Sequence, residues 1–250
     1  MNRVTLTTQI KDNIAHNLVK LLGNKIYSYL RIVKKYIIRW LINPFPYCYF
    51  KIFKSWRTFK VHGKNYKYFY HLYNTTWENE RAVEIPIIWE ILKEHRGKMI
   101  LEVGNVMSHY FTVNHDVVDK YEKAKNVINQ DIVDYRPSKK YDLIISISTL
   151  EHVGWDENPR EPEKILRAID NLKNCLVAGG KLAVTLPLGY NSDLDKFLLD
   201  RKIKFTQQYI LKRISRDNQW REVNWDDVRN SQYGNPYSKA NGLIILIDTK

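Results

Sequence analysis

An α/β fold on a mostly parallel sheet is what this sequence predicts, and three observations predict it. Met99-Ile100-Leu101-Glu102-Val103-Gly104 is a short apolar run that stops at a glycine, with an acid two residues before it. A strand buried on both faces reads as a continuous apolar run rather than an alternation. A glycine at its carboxyl end permits a tight turn and the close approach of a ligand. Downstream, β-branched apolar runs alternate with helical stretches, the pattern of parallel strands joined by crossovers. Two late strands then follow with no helix between them, which suggests an antiparallel closing pair.

The 250 residues suffice for one large domain, or one domain plus an appendage. The two cysteines, Cys48 and Cys175, are far apart and form no CxxC pair, which argues against a disulfide framework or a zinc site and for a reducing compartment. Charge is placed unevenly. Residues 1–72 carry 14 Lys/Arg against the single acid Asp12, whereas residues 73–250 carry 26 of each sign, so the net +13 lies wholly in the first part. We therefore divide the chain into a basic extension, 1–72, and a second domain, 73–250. The extension suits an acidic partner, either an anionic membrane surface or a nucleic acid.

Residues 1–24 lack the basic-apolar-small order of a cleaved signal peptide. Over residues 25–42, Ile26, Leu30, Val33, Ile37, Trp40 and Leu41 fall on one helix face, with Lys25, Arg31, Lys34, Lys35 and Arg39 mostly elsewhere. The charges interrupt any run long enough to span a bilayer. Three readings stay open: a helix packed on the protein's own core, a helix lying in an anionic membrane interface, and a nucleic-acid contact. Asn43-Pro44-Phe45-Pro46 should stop that helix, leaving residues 47–72 extended. Within them Thr58–Val61 and Tyr66–Tyr70 read as a hairpin about His62-Gly63-Lys64-Asn65. Its aromatics alternate with lysines, as on single-strand nucleic-acid platforms or as on half-buried edge strands.

Residues 74–94 read as a helix capped by Thr75 or Thr76, divided or kinked at Pro86, and ended by Gly97. After the central strand, residues 108–114 are too few for a long helix. Strands are expected at 115–119, ending in Asp119; at 126–132, with Asp131 at its end; and at 141–148. Residues 162–177 are helical, with Ile165, Leu166, Ile169, Leu172 and Leu176 at helical spacing and Ala178-Gly179-Gly180 as the stop. A strand at 181–186, a helix at 194–201 and late strands at 205–215 and 243–248 complete the pattern. Between the last two lies a polar insert bearing Trp220, Trp225, Tyr233 and Tyr237. Gly189–Asp193 is either part of an acceptor pocket or a loop capped at Ser192 or Asp193.

Taken together, residues 80–250 resemble a class I S-adenosylmethionine-dependent methyltransferase. The likeness rests on ILEVG at 100–104, Asp119 after the second strand, QDI at 130–132, YDLIISISTLEHVG at 141–154 and LVAGGKLAVTLPLG at 176–189, in that order and spacing. Within the superfamily it is similar to a poorly characterised group often associated with surface-glycan biosynthesis. The resemblance implies a Rossmann-like, seven-stranded, mostly parallel sheet with helices on both faces and the last strand antiparallel. It implies S-adenosylmethionine as cofactor. Glu102, Gly104 and Asn105 match the motif that holds the cofactor's amino-acid end; Asp119 matches the acid on the ribose hydroxyls, the physics used in dinucleotide folds. Asp131 and Ile132 match the position beside adenine. Ser148, Leu150, Glu151 and His152 match the loop that borders cofactor and acceptor. One departure stands out: where the family carries two further glycines, this chain has Val106 and Ser108.

For a hydroxyl acceptor a general base helps, and His152, at the carboxyl end of the fourth strand, is the candidate, ahead of His109 and His115. Its bland alternative is a structural histidine. Three functions follow as expectations. One is methyl transfer to a sugar, glycan-lipid or other small acceptor at the cytoplasmic membrane face, with residues 25–42 on the anionic surface. Another is an RNA methyltransferase that uses residues 1–72 to bind RNA. The third is a non-catalytic protein on the same fold, which the altered glycine loop suggests. No metal is implied.

Overall fold

The computed structural model describes residues 44–250 together with Lys20 and Gly23. The amphipathic stretch at 25–42 lies outside the described residues. By compactness the chain divides into residues 1–49 and residues 50–250. Helix α1 (Pro44–Phe53) replaces the extended chain expected from residue 47. Its two prolines fall in the first turn, where a missing N–H removes no helical bond.

Strands β1 (Thr58–Val61) and β2 (Lys64–Lys67) form the expected hairpin with a tighter turn, His62-Gly63, both at positive φ. Phe59, Tyr68 and Tyr70 are buried. The Tyr68 hydroxyl accepts the Trp220 N–H at 2.7 Å. These rings therefore belong to the core and offer no open stacking platform, while Lys60, Lys64 and Lys67 stay exposed.

Helix α2 (Arg81–Glu94) contains Pro86 without dividing, contrary to expectation. Proline deprives the Ala82 carbonyl of its usual donor. The Phe69 N–H supplies the bond instead, at 2.9 Å. Neither threonine caps the helix; Thr76 accepts from the His71 N–H and donates to the Phe69 carbonyl, both at 2.8 Å.

The described residues hold an eight-stranded sheet in the order β5-β4-β3-β6-β7-β10-β8-β9. Its strands are β3 (Ile100–Val103), β4 (Asp116–Val118), β5 (Val127–Ile128), β6 (Tyr141–Ile147), β7 (Leu176–Leu188), β8 (Gln207–Arg213), β9 (Trp220–Val223) and β10 (Gly242–Thr249). The first five in this order run parallel, and β10 is antiparallel to both its neighbours. The fold is Rossmann-like, as expected, with the last strand antiparallel. Strand β9, formed inside the Trp-rich insert, is the eighth. Two strand boundaries depart from expectation. β5 is only two residues long, so Asp131 lies in the turn beyond it. β7 begins at Leu176, directly after helix α3 (Lys164–Cys175), and Gly179-Gly180 lie in an irregularity of that strand rather than behind the helix.

Leu143, Ile144, Ile145 and Ile147 of β6 are fully buried, as a strand covered on both faces requires. On one face Val103, Ile144, Val184 and Leu186 pack with Ile165 and Leu172 of α3 and with Leu194 of helix α4 (Ser192–Leu199). On the other lies α2, whose Glu84 accepts hydrogen bonds from Ser148 at 2.6 Å and Thr185 at 2.7 Å. Among the described residues no helix is long and apolar enough to cross a membrane.

Candidate active site at the carboxyl ends of the strands

The loop after β3 is held by carboxylates. Glu102, with no solvent exposure, accepts from the Val106 and Met107 N–H groups on Oε1 at 2.9 and 2.7 Å, and Oε2 lies 2.8 Å from His115 Nε2. The Asn105 N–H bonds Asp119 at 3.2 Å, and its side-chain amide bonds Glu122 at 2.7 Å. Val106 sits at φ −100°, ψ −49°, an ordinary right-handed conformation that needs no glycine. Gly104 does need to be glycine. Its φ is +85°, and a Cβ there would lie 2.1 Å from Thr149 Oγ1. The first glycine of the motif is thus retained because the loop after β6 packs against it.

Beyond Gly104 opens a cleft of about 510 Å³. Gly104, Asp119, Asp131, Ile132 and His152, all singled out by the sequence, line it together. Asp119 accepts from the Tyr121 and Glu122 N–H groups on Oδ1 at 2.8 and 2.7 Å, besides Asn105 on Oδ2. A carboxylate has about four acceptor positions, so one remains on Oδ2. Val118 and Ile132 give the cleft an apolar wall. Asp131 is more heavily committed than expected. Lys120 and Lys164 bond it at 2.8 and 2.7 Å, and both also pair with Glu157. Burial works against the Asp131 charge, yet the two lysines prevail and hold its pKa at about 2.

The loop after β6 brings the second element. His152, on a short 3-10 turn (Leu150–His152), has its Nδ1 at 2.5 Å from Asp156 Oδ2, which also accepts from the Tyr190 hydroxyl at 2.8 Å. A carboxylate on Nδ1 fixes the tautomer and leaves Nε2 free as a base. Burial tends to raise the Asp156 pKa, but the bonds from His152 and Tyr190 bring it below the ordinary range. His152 and Asp156 both line the cleft.

The remaining candidates stand elsewhere. Glu102 and Asn105 shape the loop without lining the cleft. Ser148, at φ +37°, turns its hydroxyl to Glu84. Leu150 is fully buried in the core, and Glu151 is buried beside His152. His109 stacks on Tyr73 at 4.4 Å, and His115 serves Glu102. The helix cap after β7 is Asn191 rather than Ser192 or Asp193; its side chain accepts from the Asp193 and Leu194 N–H groups. Sequence reasoning missed Lys120, Asp156 and Glu157. Of these, only the His152/Asp156 spacing of four carried a signal. Among the described residues no group of His, Cys, Asp and Glu could hold a metal ion.

No family model matches this chain, and no curated protein matches it. Solved structures that resemble it include several at low identity. The N-methyltransferase NodS from Bradyrhizobium japonicum WM9, in complex with S-adenosyl-L-homocysteine, is 12% identical over 67% of this chain and 87% of its own, with a TM-score of 0.41. A SAM-dependent methyltransferase from Archaeoglobus fulgidus is 13% identical over 72% and 98%, at 0.42. An rRNA methylase from Streptococcus thermophilus is 13% identical over 66% and 95%, at 0.39. These values are too low to carry an activity over, and the fold rests on the strand order itself.

Proposed function

We propose that this chain binds S-adenosylmethionine in the cleft and transfers its methyl group to an acceptor beside His152. The observation that supports this reading is the meeting of Gly104, Asp119, Ile132 and His152 at the carboxyl ends of neighbouring parallel strands, where ligands of such sheets bind. The cleft fits the cofactor. The open lone pair of Asp119 suits a ribose hydroxyl, and the apolar wall of Val118 and Ile132 suits adenine. When bound there, S-adenosylmethionine would supply a methyl group already attached to a good leaving group. The chain would supply position and proton handling: Asp119 orients the ribose, the Glu102-braced loop fixes one end of the cleft, and His152 takes the acceptor's proton on Nε2 while Asp156 steadies Nδ1.

The acceptor in this reading is a sugar, glycan-lipid or other small molecule. The basic residues 1–72, including 25–42, support a location at the cytoplasmic face of an anionic membrane. RNA is the alternative acceptor on the same charge. The loop amides already spent on Glu102 favour a second reading, a non-catalytic protein on this fold. Calorimetric titration of S-adenosylmethionine and S-adenosylhomocysteine into the protein and into Asp119→Ala decides. Micromolar binding, weakened about tenfold or more by loss of a charge-assisted bond, is expected. Absence of binding by either ligand would overturn methyl transfer and leave the non-catalytic reading.

A further inference from the structure

Glu151 has no role in the scheme above. It is 2% exposed, and its Oε2 accepts no hydrogen bond among the described residues. Native structures rarely leave a buried carboxyl oxygen unpaired, because such a group forgoes the solvation it had in water. Its other oxygen lies 3.7 Å from His152 Nε2, the nitrogen left free to act as base. The carboxyl that bears the orphaned oxygen is therefore beside the histidine.

The surroundings are rich in carboxyl groups. Glu80, and Arg81 and Glu84 of α2, lie near Glu151, as do Tyr190 and Tyr233. Arg81 is already paired with Glu84, whose other oxygen serves Ser148 and Thr185. Glu80 accepts from the Ala240 N–H at 3.2 Å. Three carboxyls thus gather around Arg81, and Glu80 also feels the Arg213 guanidinium. Burial pushes the Glu151 carboxyl well above its usual range; Arg81 offsets this in part, while Glu84 and Glu80 add to it. An incoming cation would relieve that imbalance. The His152, Tyr190 and Tyr233 rings stand edge to face, with centroids 4.8 and 5.2 Å apart, and form an aromatic row beginning at the cleft. Aromatic rings suit a cationic neighbour.

We infer that the acceptor carries a primary amine, which arrives as an ammonium group and donates a hydrogen bond to Glu151 Oε2 beside His152. This rests on the methyl-transfer reading and names the acceptor's chemistry. The ammonium then gives one proton to neutral His152 at Nε2; the N–H bond breaks, its electron pair stays on nitrogen, and the free amine faces imidazolium. The His152 side chain is 43% exposed and lines the cleft, so an acceptor held there meets it with the Asp156 bond intact. A neutral hydroxyl in the same place would donate a hydrogen bond to Oε2 but bring no charge to the surrounding carboxyls.

The test uses the full chain saturated with S-adenosylhomocysteine, so that cofactor binding is scored first and separately. Glucosamine is titrated against glucose, and ethanolamine against ethylene glycol, at pH 7. Each amine should bind at least tenfold more tightly than its partner. Glu151→Gln should remove that preference, Glu151→Asp should restore part of it, and affinity for S-adenosylhomocysteine should stay within twofold in both. Equal binding within each pair, a preference that survives Glu151→Gln, or no binding by any of the four would overturn the inference while leaving the cofactor site standing. Failure to bind S-adenosylhomocysteine at all would overturn the methyl-transfer reading on which it rests.

Discussion

Replacing Asp195 by Asn should stabilise the protein at alkaline pH and not at acid pH. Asp195 lies in the first turn of α4. Its Oδ2 accepts the Gly189 N–H at 2.8 Å, and Oδ1 has no partner among the described residues. Burial raises its pKa from 3.8 to about 6, with a partial offset from the Gly189 bond. In a raised carboxyl the folded state holds its proton more tightly than the unfolded chain does. Stability from this group is therefore complete below about 3.8 and is lost as the pH climbs through about 6. Two decades at ~1.4 kcal/mol each put the cost of the charged form at ~3 kcal/mol by pH 8. Asn keeps an acceptor for Gly189 and carries no charge to bury. It also forfeits the attraction of a carboxylate to the helix N-terminus, about 0.3–1 kcal/mol. The net gain is therefore ~2 kcal/mol at pH 8 and close to nothing near pH 4. Urea unfolding followed by circular dichroism at pH 4.5, 6 and 8 measures it. A difference that does not change with pH, or a variant less stable than the parent at pH 8, would refute the reasoning.

Other substitutions probe the site and its supports. Gly104→Ala should cost ~2–4 kcal/mol in urea unfolding, from the left-handed φ and the collision with Thr149; Thr149→Ala should recover only the steric part. Glu84→Ala should cost ~3–5 kcal/mol because it strands buried Arg81 together with the Ser148 and Thr185 hydroxyls, and a second change of Arg81 to Met should return some of that loss. Asp156→Asn should lower methyl-transfer turnover at least ~tenfold by freeing the His152 tautomer, with affinity for S-adenosylhomocysteine unchanged by calorimetry. Tyr190→Phe, which removes one of two donors to Asp156, should have a smaller effect in the same assay.

Burial decided what could be read from the sequence. β3 and β6 are covered on both faces, so their composition is nearly all apolar and their limits show. Asp119 and Asp131 both line the cleft, Asp119 just past β4 and Asp131 in the turn beyond β5. β5 was misjudged because two residues of edge strand leave little imprint, and Ile128 is itself 41% exposed. Leu176 keeps the helical spacing of α3 although the strand has begun there. Pro86 looked like a break because the donor that satisfies Ala82 comes from Phe69, outside the helix. Asp156 escaped notice although His152 stands four residues before it; its second partner, Tyr190, reaches it only when the loops after β6 and β7 converge. The missing glycines looked like damage to the loop. Glu102, fully buried and bonded to two loop amides, braces the chain in their place.

Strand β10 occupies the centre of one half of the sheet, between β7 and β8, although it comes after both in the chain. During synthesis β8 and β9 therefore leave the ribosome with no neighbour to join them to the parallel half. Until residues 242–249 arrive to fill the gap, their contacts are with each other and with the earlier β1–β2 segment, where the Trp220 N–H meets Tyr68. The β7 edge therefore stands open while residues 189–241 are made, the kind of edge that recruits other chains. Removing this one strand would release three strands from the sheet.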